Sequence, residues 1–426
     1  MWLQILFYLF IAISVIDIIH LGAYLVGANF YDIWQYRRRA AAPSRNHHQL
    51  QPLVSVLIPA HNESMGIIRC LDSVRVNTYR KLEIIVIDDS SSDDTKKLVK
   101  KYITKYPNRN IRLMYKQKNG GKAEALNHAL RHGAKGDLVM TLDADSVLHR
   151  KSITNAVSYF RDPRVVGVAA NVRILDSLTI LGLLQKFEHM IGYRSKKFFS
   201  ITNSEYIIGG VASTYRRDVL KRVRFYDNDT TTEDIGLSLK IVSGGNREQR
   251  IIYAADVLAM TEGVQTFRAL IKQRYRWKLG SMQNLMKYHE LILNRGKQYS
   301  KGLTFYRLPM AIFGEIMLLL EPLAILYVLY VCYMLVNPSM IIGAYMTITI
   351  YLLLNLWPDE HMTFGKKIKM SLYTPMMYFV FYLMNIVQLA AIFRCLFNWR
   401  QALNLSKVSG SWVSPDRTGT KNIQFS

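Results

Sequence analysis

Residues 138–145 read Leu138-Val139-Met140-Thr141-Leu142-Asp143-Ala144-Asp145, and this stretch decides the fold prediction. Its first five residues are typical of a buried β-strand. Two carboxylates follow at the strand's carboxyl end, which is the edge where α/β proteins bind ligands. Two Asp side chains separated by one small residue suit a divalent cation that also contacts the oxygens of a diphosphate. The stretch therefore predicts a parallel sheet with metal-assisted chemistry at its edge.

The sequence around this stretch alternates between β-rich runs and helical patterns. The predicted strands are residues 54–58, 82–87, 111–115 and 138–142, and the predicted helices are residues 65–76, 95–105 and 123–132. Such alternation predicts an α/β domain with a mainly parallel sheet covered by helices. Polar clusters follow three of the strands, at residues 59–63, 88–93 and 143–145. We expect these clusters to lie together at one edge of the sheet.

Long apolar segments indicate a membrane protein. The chain has 426 residues, of which 50% are hydrophobic. Residues 3–27, 311–336, 340–358 and 372–397 approach or exceed the roughly 20 apolar residues that cross a bilayer. The first segment exceeds the roughly 7 to 15 apolar residues of a signal peptide, and its arginines follow the run. We predict a retained membrane anchor there.

Charge and cysteine content orient the protein and exclude some functions. Arg37, Arg38 and Arg39 follow the first segment, and basic residues favour the cytoplasmic side. This predicts an outside N-terminus and residues 30–300 in the cytoplasm, in a multi-pass protein of the plasma (inner) membrane. The net charge of +24 indicates solvated faces or contacts with anionic lipid, not nucleic-acid binding. Cys70, Cys332 and Cys395 lack metal-site spacing and are interpreted as reduced thiols.

Composition divides the chain into five predicted regions. These are a membrane helix over residues 1–30, a cytoplasmic domain over 52–260, an interfacial helix over 261–300, a membrane region over 303–400 and a tail over 401–426. Residues 28–51 are predicted to be a linker. Residues 178–199 and 264–290 are amphipathic and are predicted to lie at the membrane surface, with ordinary core helices as the alternative.

Four further motifs follow, and the first three of them are weak when taken singly. Asp88 and Asp89 end a strand, where a carboxylate can bind uracil or ribose, but Asp is also common in turns. Residues 119–122, Asn-Gly-Gly-Lys, can bring a lysine to a phosphate at a helix N-terminus, without P-loop spacing. Residues 232–234, Thr-Glu-Asp, are on their own more typical of a helix N-terminus than of a functional site. Residues 273–277, Gln-Arg-Tyr-Arg-Trp, offer a cation for a diphosphate and an aromatic face for a sugar.

In this order the motifs resemble those of the processive family 2 glycosyltransferases, which include bacterial cellulose, chitin, hyaluronan and poly-N-acetylglucosamine synthases. The resemblance covers roughly residues 52–290 and implies a GT-A-like cytoplasmic domain beside transmembrane and interfacial helices. Residues 171–174, 208–210, 215–217 and 412–417 look like the poly-β-1,6-N-acetylglucosamine synthase branch. Residues 261–264 and 277–280 depart from that branch.

The resemblance also implies roles for individual residues. Asp234 would be the catalytic base, and Asp145 would bind Mg²⁺ or Mn²⁺. The acceptor sugar would be bound by Glu233, Gln273 and Trp277. The nucleotide sugar would be bound by Glu63, Asp89, Lys122, Asp143 and Arg276. The implied partners are a UDP-sugar donor, a growing biofilm polysaccharide that is exported, membrane lipids and a small membrane subunit.

Several alternatives stay open from the sequence. The sugar can be N-acetylglucosamine, glucose or alternating sugars, and a non-processive transferase acting on a lipid-linked acceptor shares the same motifs. A non-catalytic scaffold would not explain the intact carboxylates at every motif. A transporter is disfavoured because the sequence shows no internal repeat. Glu315 and Glu321 in the membrane segments are either functional or paired with basic residues of the preceding segment. Three spans after the cytoplasmic domain would place the tail outside, whereas the resemblance places it inside. Either one segment does not cross fully or the tail is not part of the site. Residues 340–358 are the segment most expected to lie in the membrane plane or to re-enter.

Overall fold

A mixed sheet forms the centre of the α/β domain in this computed structural model, which describes residues 2–40, 51–175 and 179–403. Within those residues the sheet has eight strands in the order β3-β2-β1-β4-β7-β6-β8-β5. The strands are β1 Val54–Ala60, β2 Leu82–Asp89, β3 Ile111–Lys116, β4 Leu138–Thr141, β5 Val147–Leu148, β6 Val165–Ile174, β7 Ser213–Arg216 and β8 Arg250–Thr261. Strands β3, β2, β1 and β4 are mutually parallel, as are β6 and β8. The predicted α/β fold with a mostly parallel sheet is confirmed.

Helices cover the sheet and extend away from it. They are α1 Trp2–Ala40, α2 Ile67–Arg75, α3 Thr95–Lys105, α4 Lys122–His132, α5 Ser152–Tyr159, α6 Ile180–Ile201, α7 Arg217–Arg222, α8 Glu233–Ser243, α9 Phe267–Lys287, α10 Leu308–Met334, α11 Ser339–Leu356, α12 Phe364–Phe397 and α13 Trp399–Leu403. From β1 to β4, every predicted strand and helix lies within two residues of its observed bounds. Each strand and helix in this region can be predicted from its own pattern of apolar residues.

Two apolar layers bury the sheet from both sides. One layer joins β1, β2 and β4 to α2, α3 and α5. The other joins the opposite faces of these strands to α4, α7 and α8. All seven residues of β1 are buried, as expected for a central parallel strand covered on both faces. The carboxyl ends of β1, β2 and β4 are therefore held at a common, rigid edge.

The predicted linker over residues 28–51 is wrong for residues 28–40, which continue α1, while residues 41–50 lie outside the described residues. Tyr31 on this part of α1 is fully buried. Its hydroxyl donates to the carbonyl of Tyr253 at 2.7 Å and accepts from the N–H of Ala255 at 3.2 Å. β5 pairs only with Ala259 and Met260 of β8, so the earlier part of this edge needs other partners. Tyr31 supplies two of these hydrogen bonds, and Ser200 Oγ accepts the N–H of Tyr253 at 2.8 Å, because buried backbone groups require hydrogen bonds.

Four helices within the described residues are long and apolar enough to cross a membrane: α1, α10 with the turn before it, α11 and α12. They coincide with the four predicted segments and support assignment to the membrane proteins. The predicted amphipathic segments correspond to α6 and α9, except that residues 176–178 lie outside the described residues. Leu184 of α6 and Leu270 of α9 pack in one cluster with Met384 of α12. These two helices thus lie between the sheet domain and the hydrophobic helices.

Glu83 is a buried carboxylate that ties β1, β3 and the segment before β4 together, away from the ligand edge. It accepts from Ser55 Oγ at 2.5 Å, from the N–H of Lys135 at 2.6 Å and from Arg112 at 2.5 Å. Burial raises its pKa, but these donors outweigh burial and hold the pKa of Glu83 below its usual value.

We expect Glu83→Gln to lower the free energy of unfolding by about 1–3 kcal/mol, the usual cost of disrupting hydrogen bonds to a buried charge. The folded-state pKa is lowered, so this stabilisation is present above the unfolded pKa and is lost as pH falls through the folded one. Melting of the detergent-solubilised chain at neutral and acidic pH measures both effects. Glu248→Gln, at an exposed carboxylate, is the matched control. Equal melting temperatures for Glu83→Gln and the control at neutral pH would contradict the expectation.

Candidate active site

Side chains from three separate elements meet at the carboxyl edge of the sheet. Lys122, at the start of α4, has its Nζ 2.6 Å from Asp143 Oδ1 and 3.5 Å from Glu233 Oε1. Asp143 follows β4, and Glu233 begins α8. Gly210 lies against the same lysine, because a Cβ built on it would be 2.4 Å from Lys122 Nζ. Three of the predicted site residues therefore form one charged cluster, and Gly210 is packed against the Nζ of its lysine.

The electrostatics of this cluster keep the lysine charged. Burial lowers the pKa of Lys122, but the carboxylates of Asp143, Glu233 and Asp234 outweigh burial and raise it. Lys122 is therefore a fixed cation at neutral pH and cannot act as a base. A fixed cation at a helix N-terminus is suited to binding a phosphate group.

Asp234 follows Glu233 at the start of α8 and belongs to the same charged cluster. Burial, followed by the neighbouring charge of Glu233, raises the pKa of Asp234 to about 6, although the charge of Lys122 acts to lower it. Its Oδ1 accepts the N–H of Ile235 at 2.9 Å. A carboxylate with a pKa near 6 can accept a proton at neutral pH more readily than an ordinary Asp. A raised pKa of this kind suits a carboxylate that accepts a proton.

Asp143 and Asp145 differ in exposure although only Ala144 separates them. The Asp143 side chain is 33% exposed, whereas Asp145 is buried. Asp145 Oδ1 accepts from Ser146 Oγ at 3.0 Å, and its backbone carbonyl accepts from Arg69, which also pairs with Glu262 at 2.7 Å. No group of three or more His, Cys, Asp or Glu is arranged to hold a metal anywhere in residues 2–40, 51–175 and 179–403. Two carboxylates fit Mg²⁺ or Mn²⁺ when substrate oxygens and water supply the remaining ligands.

Asp89 is engaged by the glycine loop that precedes Lys122. The Asp89 side chain is fully buried, and its Oδ2 accepts the N–H groups of Gly120 at 3.1 Å and Gly121 at 2.8 Å. Lys116 Nζ lies 3.0 Å from its Oδ1. Gly121 has a φ of +85°, which favours glycine, so the loop conformation depends on this residue type. Asp89 acts in this structure as the anchor of the loop that leads to α4.

Two other carboxylates lie beside this loop. Asp88 Oδ1 is buried without a hydrogen-bond partner among the described residues, although its Oδ2 receives the N–H of Ser91 at 3.4 Å. The sequence motif assigns nucleotide-sugar binding to Asp89 and no role to Asp88. Only the structure shows that an oxygen of Asp88 is buried and unsatisfied. Glu63 is also buried; its N–H donates to Thr95 Oγ1 at 2.9 Å, and its carbonyl accepts the N–H of Ile67 at the start of α2.

The predicted acceptor residues lie on α9 and differ in their surroundings. Trp277 is 38% exposed, and Arg276 is also exposed. Gln273 Oε1 is buried without a hydrogen-bond partner among the described residues. Arg274, which has no predicted role, is buried and donates two hydrogen bonds of 2.8 and 2.7 Å to Glu188. Its guanidinium lies 4.3 Å from the Trp277 ring centroid. Arg274 fixes the indole, whereas Arg276 is available to a ligand.

A set of α9 residues that sequence reasoning missed holds the segment before Glu233. Asn284 is fully buried, and its amide donates to the carbonyl of Thr232 at 3.2 Å and to its Oγ1 at 3.1 Å. Gln283 Oε1 accepts the N–H and the hydroxyl of Thr231, each at 2.9 Å. A Cβ on Gly280 would lie 2.3 Å from Thr232 Oγ1. A glycine in the middle of a helix, where it costs about 1 kcal/mol relative to alanine, is the one sequence signal of this close approach.

This sheet, with carboxylates and a lysine at its carboxyl edge, defines a GT-A-like glycosyltransferase domain. The solved mannosyltransferase from Pyrobaculum calidifontis in complex with GDP-Man and Mn²⁺ shares this fold, with a TM-score of 0.51 and 24% sequence identity over 80% of this chain and 97% of that one. The model of the protein family Glycosyl transferase family 2 matches residues 55–224 of this chain. The chain therefore contains a family 2 glycosyltransferase domain, and the predicted enzyme class is confirmed.

Proteins of similar sequence indicate which branch of the family this chain resembles. The poly-beta-1,6-N-acetyl-D-glucosamine synthase of Staphylococcus aureus (strain COL) is 33% identical over 239 residues, which are 55% of this chain and 56% of that protein. The enzyme with the same name from Staphylococcus epidermidis is 31% identical over 246 residues, 57% of this chain and 58% of that protein. The chain thus matches these relatives over a little more than half of their length, and its sequence likeness is to that branch of the family.

Proposed function

We propose that the chain is an inverting, processive glycosyltransferase that polymerises UDP-N-acetylglucosamine into poly-β-1,6-N-acetylglucosamine. The observation that carries the proposal is Asp234, a carboxylate with a pKa of about 6 beside the pair of Lys122 and Asp143 at the sheet edge. The two named relatives support the choice of sugar and linkage. The membrane helices support a product that is exported across the plasma membrane, with the catalytic domain in the cytoplasm.

On the donor side, charged residues would bind the diphosphate and the nucleoside. Asp145, assisted by Asp143, would hold Mg²⁺ or Mn²⁺, which when bound neutralises the leaving diphosphate. Lys122 and Arg276 would contact the phosphate oxygens directly. Asp89 would shape the nucleoside site through the glycine loop, Asp88 would offer its unsatisfied oxygen to the nucleoside, and Glu63 would line the same side.

On the acceptor side, Asp234 would remove a proton from the attacking hydroxyl. The hydroxyl oxygen forms the new bond to the anomeric carbon while the bond from that carbon to the diphosphate breaks on the opposite face, which inverts the configuration. Glu233 and Gln273 would orient the terminal sugar of the acceptor. The exposed Trp277 ring would stack on it, since aromatic faces suit sugar rings. The lysine stays protonated throughout because its pKa is raised.

Processivity would follow from the position of α9. This helix contacts the Thr232 segment through Asn284 and contacts α12 through Leu270. A polymer held at Trp277 would therefore lie between the base and the hydrophobic helices. Membrane lipids and a small membrane subunit are proposed as further partners, and we expect no binding of nucleic acid.

The direct test incubates membranes containing the full chain with Mg²⁺ or Mn²⁺ and each of UDP-N-acetylglucosamine, UDP-glucose and UDP-glucuronate. We expect release of UDP from UDP-N-acetylglucosamine alone, with a long product degraded by a β-1,6-N-acetylglucosaminidase. A product with a single added sugar would instead establish a non-processive transferase. No UDP release with any donor, even after lipid acceptors and candidate subunits are added, would refute the proposal.

The pKa of Asp234 sets the expected pH dependence. The base works in its deprotonated form, so kcat/KM should rise with pH through about 6 and level off above it. UDP release measured from about pH 4.5 to 8 under subsaturating donor tests this. Lys122 adds no limb in that range because its pKa is raised above its ordinary value. A profile that levels off near the ordinary pKa of Asp, about 4, would contradict the assignment.

A further inference from the structure

Both ends of α12 lie against the catalytic domain. On the N-terminal side, the Asp359 carboxylate receives two hydrogen bonds of 2.8 Å from Arg173 of β6. His361 Nε2 lies 3.0 Å from the carbonyl oxygen of Ala255 in β8. The chain therefore enters α12 directly from the surface of the sheet domain.

The C-terminal end of α12 lies against α9, the helix that holds the Thr232 segment of the catalytic domain. Cys395 is fully buried and packs against Leu279 of α9. The Arg394 guanidinium lies 4.3 Å from the ring centroid of Tyr275, also on α9. Leu279 directly precedes Gly280, which touches Thr232 in front of the candidate base. The α9 residue that contacts the end of α12 is therefore followed directly by the one that lies against Thr232.

The middle of α12 packs along the two helices that lie under the sheet domain. Met377 and Met384 are buried in one cluster with Phe187 of α6 and Leu270 of α9. The opposite face is apolar and exposed, and its large side chains include Phe379, Leu383, Ile386 and Phe393. A face of this kind suits the acyl region of a bilayer.

Charge distribution distinguishes α12 from the preceding pair of helices. No Lys or Arg occurs in residues 308–365, which contain α10, α11 and the turn between them. Val336 in that turn is 89% exposed. By contrast, α12 has basic residues near both ends, at positions 366, 367 and 369 and at position 394, with another at 400. Basic residues favour the cytoplasmic side, so both ends of α12 belong on the side of the catalytic domain.

We infer that α12 lies in the plane of the membrane, with one face on α6 and α9 and the other in contact with lipid acyl chains. Only α1, α10 and α11 among the described helices then cross the bilayer. The chain after α12 emerges on the side of the catalytic domain. The in-plane helix is therefore α12, not the segment over residues 340–358 that the sequence favoured, and the conflict over the side of the tail is removed.

Accessibility of single cysteines tests this topology in the full chain. The background variant replaces Cys70, Cys332 and Cys395, and single cysteines are then introduced by Val336→Cys, Lys369→Cys or Asn398→Cys, at three exposed positions. Intact spheroplasts are treated with a membrane-impermeant maleimide, and parallel samples are treated after the membrane is permeabilised. Labelling of the denatured chain measures the total.

We expect V336C to be labelled in intact spheroplasts, and K369C and N398C to be labelled there about tenfold less and fully only after permeabilisation, because the reagent reaches the outer side alone. Labelling of N398C in intact spheroplasts at the level of V336C would overturn the inference. So would labelling of N398C that requires detergent solubilisation.

A fusion to the unaltered chain guards against misfolding of the cysteine-free background. Green fluorescent protein fused after Ser426 should fluoresce, and alkaline phosphatase at the same place should be inactive, because the first works in the cytoplasm and the second outside. An active phosphatase would overturn the inference. Neither experiment measures sugar transfer, so both are independent of the proposed function.

Discussion

Replacement of Asp234 by Asn is expected to reduce polymer synthesis by about 10²–10⁴-fold, the range that a positioned general base contributes. Asn keeps the shape and can still accept the N–H of Ile235, but it cannot take a proton from the acceptor hydroxyl. The donor-binding residues lie on other elements, so the KM for the UDP-sugar should change little while kcat falls. Initial rates of UDP release at varied donor concentration measure the two constants separately.

The control for this variant is Asp94→Asn, at an exposed carboxylate whose one ion pair, with Lys97, is 4.0 Å long. It should retain the kcat of the parent chain. The acidic limb near pH 6 should also disappear from the residual activity of Asp234→Asn. A variant that keeps both the parent rate and this limb would show that another group is the base, with Glu233 the nearest carboxylate on the same helix.

Replacement of Gly280 by Ala is expected to lower kcat by about 100-fold, the effect of a displacement of about 1 Å in a catalytic group. The new methyl group would lie 2.3 Å from Thr232 Oγ1 and 2.8 Å from its Cβ. Thr232 is β-branched and cannot rotate away freely, so the start of α8 must shift together with Asp234. Alanine itself favours the helix by about 1 kcal/mol over glycine, so loss of α9 would not explain the effect.

Gly192→Ala is the matched control, because Gly192 is also inside a helix and has nothing within 4 Å of a built Cβ. It should leave kcat and KM unchanged. Donor affinity of Gly280→Ala, measured by binding of UDP to the purified chain, should equal that of the parent, since Lys122 and Asp143 are not displaced. Parent-like kcat in Gly280→Ala would refute the positioning role of α9.

Much of this protein could be predicted from local patterns. The strands from β1 to β4 and the helices between them follow from apolar periodicity, and their parallel order places residues 88–89 and 143–145 at one edge. The membrane helices follow from length and composition alone. The pairing of Glu315 with Lys278 at 2.6 Å matches the interpretation in which this carboxylate pairs with the preceding basic segment.

Other features escaped prediction because they depend on contacts between distant parts of the chain. The polar and basic composition of residues 28–40 predicts a linker, since nothing local reveals that Tyr31 bonds to the edge of β8. Asp88 and Asp89 are chemically identical neighbours, and only their surroundings separate an anchored carboxylate from one with an unsatisfied oxygen.

The amino-acid sequence alone therefore established the class of protein: an α/β glycosyltransferase domain of family 2 with hydrophobic helices suited to a bilayer. It did so because strand, helix and membrane patterns are local, and because the order of the carboxylate motifs is specific. The folded structure was needed to reveal the raised pKa of Asp234, the contacts of α9 with Thr232 and the return of α12 to α9. These depend on burial and on side-chain contacts between elements far apart in the chain, which no local period encodes.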